Sequence, residues 1–280
     1  MKKYLIINAD DFGYNNEQNA AITDLLSKGL ITSISVLSSA PEAERCTCLD
    51  GDAYSVGVHL TLNSDNGESP WKCLSGAVSL GGENGLPADM KKLTLGAKRK
   101  DVRRELEAQY DYLISRGVKV DHADSHCGTL YGINGRRFYL DAFDFCAEHG
   151  IPFRFPKTPG FAERQIGRKL PAPALKILGM IVKRGEEKGV KMLDDLVSNP
   201  WNIAKIGSCD NLRAYYLNAV DNCVVGVTEM FLHPALPTDD GISEWTKRVY
   251  EYELLKSGDL LQRARDKNIE VVSWKIFQDI

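Results

Sequence analysis

The sequence predicts an α/β fold in which parallel strands alternate with helices. Short apolar runs typical of buried strands recur along the chain, and the stretches between them carry apolar residues at helical spacing. This alternation is typical of repeated β/α units that build a parallel sheet. The 280 residues contain neither an internal repeat nor a low-complexity linker. We therefore expect a single domain over residues 1–280.

The first half of the chain contains the clearest elements. Residues 3–9 predict a buried strand that runs directly into Asp10 and Asp11. Further strands are predicted within 32–37, 54–62 and 118–122. Helices are predicted over 16–28 and over 101–116, the second capped by Asp101 and ended by Gly117. The Gly-, Ser- and Pro-rich segment 63–95 is long for a plain connection, which predicts a functional loop over the site.

The second half continues the alternation. A helix is predicted over 139–149, and residues 150–154 lead into a strand. Residues 171–198 look helical, whereas residues 229–234 close another strand. A long amphipathic helix is predicted over 245–265, followed by a final strand over 269–274.

Bulk composition excludes several classes of function. The net charge is −3 and the pI is about 6.0, which gives no electrostatic reason to bind nucleic acid or an anionic membrane. No apolar run reaches the roughly 18 residues of a membrane span, and the start of the chain lacks a secretory pattern. The seven cysteines form no CxxC pair. We expect reduced thiols and a cytoplasmic location.

Acidic and histidine residues follow several predicted strands. Asp10 and Asp11 come directly after the first strand, and two adjacent carboxylates usually need a cation or a proton. His59, His126 and His233 lie at or just beyond other strand ends. Strand ends from distant parts of the chain converge in a barrel. Imidazole and carboxylate together suit zinc or another divalent transition metal.

Each of these features also has a structural interpretation. The Asp10–Asp11 pair could form a turn in which Asp11 caps the next helix, and His59 could be a hydrogen-bonded core histidine. His233 before Pro234 could simply end a strand. His122, Asp124 and His126 would face one way on a strand, and three buried polar groups are costly without partners, which favours a site there.

Four motifs resemble those of the YdjC-like carbohydrate deacetylases, a family that includes the chitooligosaccharide deacetylases. They are Asn8-Ala9-Asp10-Asp11-Phe12-Gly13, Gly57-Val58-His59-Leu60-Thr61-Leu62, His122-Ala123-Asp124-Ser125-His126 and Glu229-Met230-Phe231-Leu232-His233-Pro234. The resemblance implies a distorted (β/α) barrel, similar to those of polysaccharide deacetylases and glycoside hydrolases. It also implies one divalent metal ion, Mg or Zn, held by an aspartate and two histidines.

The resemblance assigns roles to individual residues. It implies that the metal ligands are Asp11, His59 and His126. It implies that Asp10 is the catalytic base, that His233 lies near the leaving group, and that Arg154 lies near the substrate. The chain departs from many members of the family at Cys127-Gly128-Thr129-Leu130, where further histidines are common. This departure leaves the ligands intact and leaves the sugar specificity open.

The expected function is hydrolysis of the acetamido group of a small N-acetylated sugar by metal-activated water. Trp71, Tyr131 and Trp201 could stack on sugar faces, although core packing is the alternative for each. A metal-independent glycoside hydrolase would need two suitably spaced carboxylates, and a phosphoesterase would need more cationic groups. A sugar-binding or regulatory module with a non-catalytic site is the non-enzymatic alternative. A homodimer is left open.

Overall fold

One parallel sheet of nine strands organises the described part of the chain. The computed structural model describes residues 2–65, 67–133, 135–238 and 244–279. Every strand pairing in this sheet is parallel. The strands are β1 (Lys3–Phe12), β2 (Ser33–Val36), β3 (Ser55–Leu60), β4 (His122–Ser125), β5 (Phe153–Pro156), β6 (Met192–Leu193), β7 (Asp195–Val197), β8 (Gly226–Leu232) and β9 (Glu270–Val272).

Helices connect these strands and pack against the outside of the sheet. They are α1 (Asn16–Ser27), α2 (Met90–Gly96), α3 (Arg99–Ile114), α4 (Tyr139–His149), α5 (Gly160–Ile166), α6 (Ala172–Glu187), α7 (Ile203–Ile206), α8 (Cys209–Asp221), α9 (Trp245–Lys256), α10 (Asp259–Asp266) and α11 (Ile276–Asp279). Among the residues that the structure describes, no helix is long and apolar enough to cross a membrane.

The sheet curls because its two edges are formed by one continuous segment. The strand order is β6-β5-β4-β3-β2-β1-β8-β7, and β9 pairs with β1 beside β2. Only Asp194 separates β6, which pairs with β5, from β7, which pairs with β8. Residues 192–197 therefore bring the edges of the sheet together, as expected for a distorted barrel.

Polar residues line much of the inside of this barrel, where Ile6, Val227 and Trp274 also belong to a small apolar cluster, and the main hydrophobic core faces the helices. In β1, Asn8 and Asp10 point inward, whereas Ile7 and Ala9 join the main hydrophobic core. Side chains alternate between the two faces along the other strands as well. Hydrogen bonds and close contacts connect the inward-facing residues Asn8, Asp10, Ser33, Ser35, Gly57, His59, His122, Asp124, Arg154 and Glu229.

Most predicted elements are present, with shifted bounds. The helix predicted over 101–116 begins at Arg99, and the residue at its N-terminal cap is Lys98. Asp101 is therefore not the cap, and its carboxylate instead accepts a hydrogen bond from Ser79 Oγ at 2.7 Å. The strand predicted over 118–122 starts only at His122, where pairing with Gly57 of β3 begins.

Two predicted helices are too long. The stretch 171–198 is helical only to Glu187, because Gly189 adopts a left-handed conformation (φ 75°) and the chain then enters β6 and β7. The helix predicted over 245–265 is divided into α9 and α10 at Gly258 (φ 74°). The predicted loop 63–95 contains the start of α2, which Asp89 caps.

Candidate metal centre and surrounding cavity

Backbone geometry at the end of β1 brings both adjacent aspartates to the same site. Strand alternation alone would point Asp10 and Asp11 to opposite faces. The pairing with β2 shifts register between Ala9 and Phe12, and Asp11 has φ 68°. A positive φ is uncommon outside glycine and costs energy, which is typical of functional positions. This irregularity turns the Asp11 carboxylate toward the open end of the barrel.

Three potential ligand atoms converge at Asp11. His59 Nε2 and His126 Nδ1 each lie 3.3 Å from Asp11 Oδ1. All three side chains are buried. His59 is the fifth residue of β3, and His126 follows β4 directly, so the group is drawn from the carboxyl ends of three separate strands. The tight turn after His126, with Cys127 at φ 50° and Gly128 at φ 62°, ends the strand there.

The remaining polar atoms of these residues have other partners. His59 Nδ1 lies 2.7 Å from Asp124 Oδ1, and His126 Nε2 lies 2.8 Å from Asp65 Oδ1. A carboxylate on the far nitrogen of an imidazole fixes the ring orientation and tautomer of a metal-ligating histidine. Arg248 Nη1 donates to Asp11 Oδ2 at 3.0 Å. Asp11 Oδ1, His59 Nε2 and His126 Nδ1 are therefore the atoms of these three side chains that are left for a cation.

The unused atoms fit a divalent metal. Asp11 Oδ1 is buried and has no hydrogen-bond partner. Metal–ligand bonds of about 2.1 Å place ligand atoms about 3.4 Å apart in tetrahedral geometry, and the observed separations from Asp11 Oδ1 are 3.3 Å. Two imidazoles and a carboxylate would occupy three positions, which leaves further positions for water or substrate.

Arg154 joins three buried carboxylates behind the ligands. Its Nη1 and Nη2 donate to the two oxygens of Asp10 at 2.7 Å each. Its Nε and Nη2 donate to Glu229, and Nη2 lies 2.8 Å from Asp124 Oδ2. The guanidinium is 1% exposed. The structure therefore makes Arg154 the residue that orients Asp10, whereas its predicted contact with substrate stays a prediction.

Burial and charge shift several pKa values in this network. Burial disfavours the charged form of His59, but Asp124 and Asp10 outweigh it and raise the pKa to about 10. Burial likewise opposes protonation of His126, but the nearby carboxylates of Asp11 and Asp65 raise its pKa well above the usual value. Burial raises the pKa of Asp11, yet the two histidines and Arg248 together hold it well below normal. Without a metal, the acids thus keep both histidines protonated.

Glu229 and His233 are shifted mainly by desolvation. Burial raises the pKa of Glu229 to about 7, against the opposing effect of Arg154. Desolvation by the surrounding protein lowers the pKa of His233, whose side chain is still 29% exposed. His233 Nε2 lies 3.8 Å from Asp10 Oδ2. A carboxylate and a mainly neutral imidazole therefore face the same space beside the ligand group.

A cavity of about 650 Å³ opens above these residues. All six residues named from the sequence contact it, and the structure brings them together within one site. They are Asp10, Asp11, His59, His126, Arg154 and His233. Their proximity is established by the structure, whereas their individual catalytic and ligand roles stay predictions. His122, by contrast, stacks on Trp274 (4.7 Å between ring centroids) inside the barrel, away from the ligand group.

Sequence reasoning missed several residues of the site. Asp65 and Arg248 carried no signal, because one lies in a polar segment and the other on a helix with several charged residues. Asp124 was included in the predicted polar face of His122, Asp124 and His126 without an individual role, and Glu229 stood inside a quoted motif without a role. An alternation of polar residues along several buried strands was the available signal, since Asp124 and Glu229 follow it.

The segment 63–95 touches the site only through its first part. Asp65 contacts His126, and the buried Trp71 ring packs 5.2 Å from the His126 ring. Beyond these, Glu105 of α3 accepts hydrogen bonds from the backbone of Leu74 and Ser75. Of the three aromatic residues considered for sugar stacking, Tyr131 lines the cavity. Trp201 packs instead against Tyr215, at 5.2 Å.

Two curated relatives of this chain are named as deacetylases that act on carbohydrates or chitooligosaccharides. A carbohydrate deacetylase of Geobacillus stearothermophilus is 26% identical over 284 residues, covering 99% of both chains. A chitooligosaccharide deacetylase of Proteus mirabilis is 34% identical over 129 residues, or 45% of this chain and 49% of that protein.

A solved structure supports the fold. The crystal structure of an Enterococcus faecalis protein named for cellobiose-phosphate cleavage superposes with a TM-score of 0.76, at 22% identity over 99% of each chain. This likeness confirms the predicted barrel-like α/β fold. The family model described as YdjC-like protein matches residues 4–266, which confirms the resemblance seen in the four motifs. The chain therefore belongs to the YdjC-like protein family.

Proposed function

We propose that this protein is a carbohydrate deacetylase that uses one divalent metal ion to hydrolyse the acetamido group of a small N-acetylated sugar. The observation that carries the proposal is the group of three ligand atoms at Asp11, His59 and His126, whose other polar atoms are already engaged. The names of the relatives support the reaction, since they are carbohydrate and chitooligosaccharide deacetylases.

The residues around the ligand group suit amide hydrolysis. A divalent metal held there would supply a Lewis acid that polarises the acyl carbonyl and activates water. Asp10 would accept the proton of the attacking water as general base. Arg154 holds both Asp10 oxygens, so the carboxylate is fixed before substrate binds. The reaction yields acetate and a free amine.

His233 is the proposed proton donor to the leaving amine. Because desolvation lowers its pKa, the imidazole is largely neutral near pH 7 and must first gain a proton. Asp10 Oδ2, at 3.8 Å from His233 Nε2, is the nearest group that takes up a proton during the reaction. The pair would therefore return to the amine nitrogen the proton that Asp10 removed from water.

The donor set favours zinc or a similar transition ion over magnesium. Mg²⁺ prefers oxygen ligands and keeps several waters, whereas two imidazoles and one carboxylate suit Zn²⁺. We also propose a cytoplasmic location, since all seven cysteines are free thiols. A single domain over residues 1–280 is proposed as well, because one segment closes both edges of the only sheet in the described residues.

Acetate release tests the proposal. Metal-depleted protein is reloaded with Zn²⁺, Mg²⁺ or buffer and incubated with diacetylchitobiose and a panel of other N-acetylated and O-acetylated sugars. We expect acetate from an N-acetylated sugar only after metal is restored, and none from the Asp11→Asn variant. If metal is bound and no sugar releases acetate, the deacetylase proposal fails, and a glycosidase or a binding module becomes the better interpretation.

A further inference from the structure

The cavity above the candidate metal centre has two chemically different ends. Near Asp10 and His126 it is polar and charged. Away from them it runs along α5 and α6, where aliphatic and aromatic side chains form the wall. These are Phe161, Ile166, Ala174, Ile177, Leu178 and Ile181. Both ends belong to one continuous space of about 650 Å³.

The apolar end is poorly suited to a bare sugar. Hydroxyl groups buried against aliphatic side chains lose their water without gaining hydrogen bonds, which opposes binding. Polar residues such as Ser125 and Thr158 also line the cavity and offer partners for a sugar ring. A cavity that has candidate metal ligands at one end and an aliphatic wall at the other matches an amphiphilic molecule.

Part of the apolar wall does not belong to the core of the protein. Phe161, Leu178 and Ile181 also pack against hydrophobic clusters of the core, whereas Ile166 and Ile177 do not. Gly185 is the only residue of α6 that is buried, and α5 contributes no buried residue. Ile177 is 58% exposed and Ile166 is 49% exposed. Large aliphatic side chains left at the mouth of a cavity often indicate a ligand-binding surface. Their continuity with the candidate metal centre indicates that the occupant is part of the substrate.

We propose that the preferred substrate is an N-acylated amino sugar bearing an apolar chain, which lies along α5 and α6 while the amide faces Asp11. This inference rests on the proposed function and specifies its substrate class. The apolar chain of the substrate is either the aglycone of the sugar or its N-acyl group. Both present the same chemistry to the wall, and separate substrates distinguish them.

Paired substrates that differ only in the apolar chain test the inference. The aglycone pair is the hexyl and methyl β-glycosides of N-acetylglucosamine, assayed by acetate release. The acyl pair is N-hexanoylglucosamine and N-acetylglucosamine, assayed by amine release. Each buried methylene should contribute about fourfold in affinity. We expect kcat/KM to be at least tenfold higher for the hexyl member of one pair.

Two substitutions on α6 provide the matched comparison. Ile177 lines the cavity, whereas Met180 does not, although it is 64% exposed on the same helix. Ile177→Asn should reduce the preference for the hexyl compound by about tenfold, and Met180→Asn should leave it unchanged. Because both side chains are largely exposed, neither substitution should prevent folding.

Direct binding separates this inference from the proposed function. Titration calorimetry with the metal-loaded Asp10→Asn variant measures affinity for the hexyl glycoside without turnover. If no sugar is deacetylated but the hexyl glycoside binds in a way that depends on Ile177, the reaction is wrong and the apolar subsite stands. If the two members of each pair are hydrolysed with equal kcat/KM, measured as acetate for the aglycone pair and as free amine for the acyl pair, the subsite is wrong. A dimer in light scattering that both α6 substitutions dissociate also overturns it.

Discussion

The adjacent carboxylates of Asp10 and Asp11 have different partners, which predicts different mutant phenotypes. Asp11 Oδ1 faces two histidine nitrogens, whereas both Asp10 oxygens accept from Arg154. We expect Asp10→Asn to keep about one metal ion per chain and to lose ~10²-fold or more in turnover, the usual size of a general-base contribution. Asp11→Asn should lose the metal. Metal analysis and acetate release on the same samples measure both quantities, and identical metal contents would refute this division of roles.

The contact between Asp65 and His126 predicts a separate effect on metal affinity. Its carboxylate lies 2.8 Å from His126 Nε2, on the side of the ring away from Asp11. Loss of such an orienting partner typically weakens metal binding by about 10–100-fold. Asp65→Asn should therefore raise the Kd for Zn²⁺ in a chelator competition by that factor. Asp52→Asn is the control, because Asp52 forms an exposed ion pair with Lys119 far from any ligand. Equal affinities for the two variants would show that Asp65 does not orient His126.

If His59 and His126 hold the metal as proposed, their raised pKa values predict that metal binding releases protons. Their pKa values are raised in the metal-free protein, that of His59 to about 10. Metal needs the neutral imidazole, so binding near pH 7 should release about two protons, and affinity should rise as pH increases toward 10. Calorimetry in buffers of different ionisation enthalpy measures the number. Binding heats that do not depend on the buffer would contradict the prediction.

Residues of the site could be predicted from the sequence only where a histidine or an acidic residue lies at the end of a predicted strand. His59, His126 and His233 are three of five histidines, and each lies at or just beyond the end of a predicted strand, so their convergence could be expected. The partners that orient them could not. Asp65 reaches His126 through the path of a long loop, and Arg248 reaches Asp11 from a helix 237 residues later. Such contacts depend on tertiary packing and leave no local pattern.

At the scale of elements, β3 and β4 predict a stability test. A Cβ on Gly57 would lie 2.6 Å from His122 Cδ2. His122 cannot move easily, because it is buried, stacks on Trp274 and lies 2.7 Å from Asp121. Gly57→Ala should therefore lower the free energy of unfolding by about 1–3 kcal/mol.

The matched control for Gly57 lies on α6. A Cβ on Gly179 meets nothing within 4 Å. Gly179→Ala should raise the free energy of unfolding by about 0.5–1 kcal/mol, because alanine is the better helix former. Denaturant unfolding of the two variants measures both changes. A stable Gly57→Ala protein would mean that His122 can be repositioned at little cost.

Element boundaries were the less predictable part of the fold. Strand and helix alternation was evident in the periodicity of apolar residues, and α4 has the predicted bounds, 139–149. Residues 171–198 were predicted as helix throughout because β6 and β7 have only two and three residues, too few for a period to appear. Their strand conformation comes from pairing with β5 and β8, which lie far away in sequence.

Across the whole molecule, the barrel interior concentrates charge that a metal would balance. Four buried carboxylates stand against two guanidinium groups, those of Arg154 and Arg248. The carboxyl groups are Asp10, Asp11, Asp124 and Glu229, and Glu229 is only partly ionised near pH 7 because burial raises its pKa to about 7. In the metal-free protein, protonated His59 and His126 supply further positive charge. A divalent cation would supply the same charge when both imidazoles are neutral. The net charge of the site is therefore the same with one divalent metal ion as with two protons on the histidines.

This exchange predicts how metal changes thermal stability with pH. A metal at 100 times its Kd stabilises the folded state by about 2.7 kcal/mol, or roughly 5–10 °C in Tm for a chain of this size. The pKa of His59 is about 10 in the metal-free folded protein and near 6.5 in the unfolded chain. Protonation of His59 therefore stabilises the metal-free fold fully below about pH 6.5, and this stabilisation is lost as the pH rises through about 10. The metal-dependent increase in Tm should therefore be larger at pH 9 than at pH 6. Melting curves with Zn²⁺ or chelator at both pH values test this, with Asp11→Asn as the control that should show no increase. An increase of the same size in that variant would place the metal elsewhere.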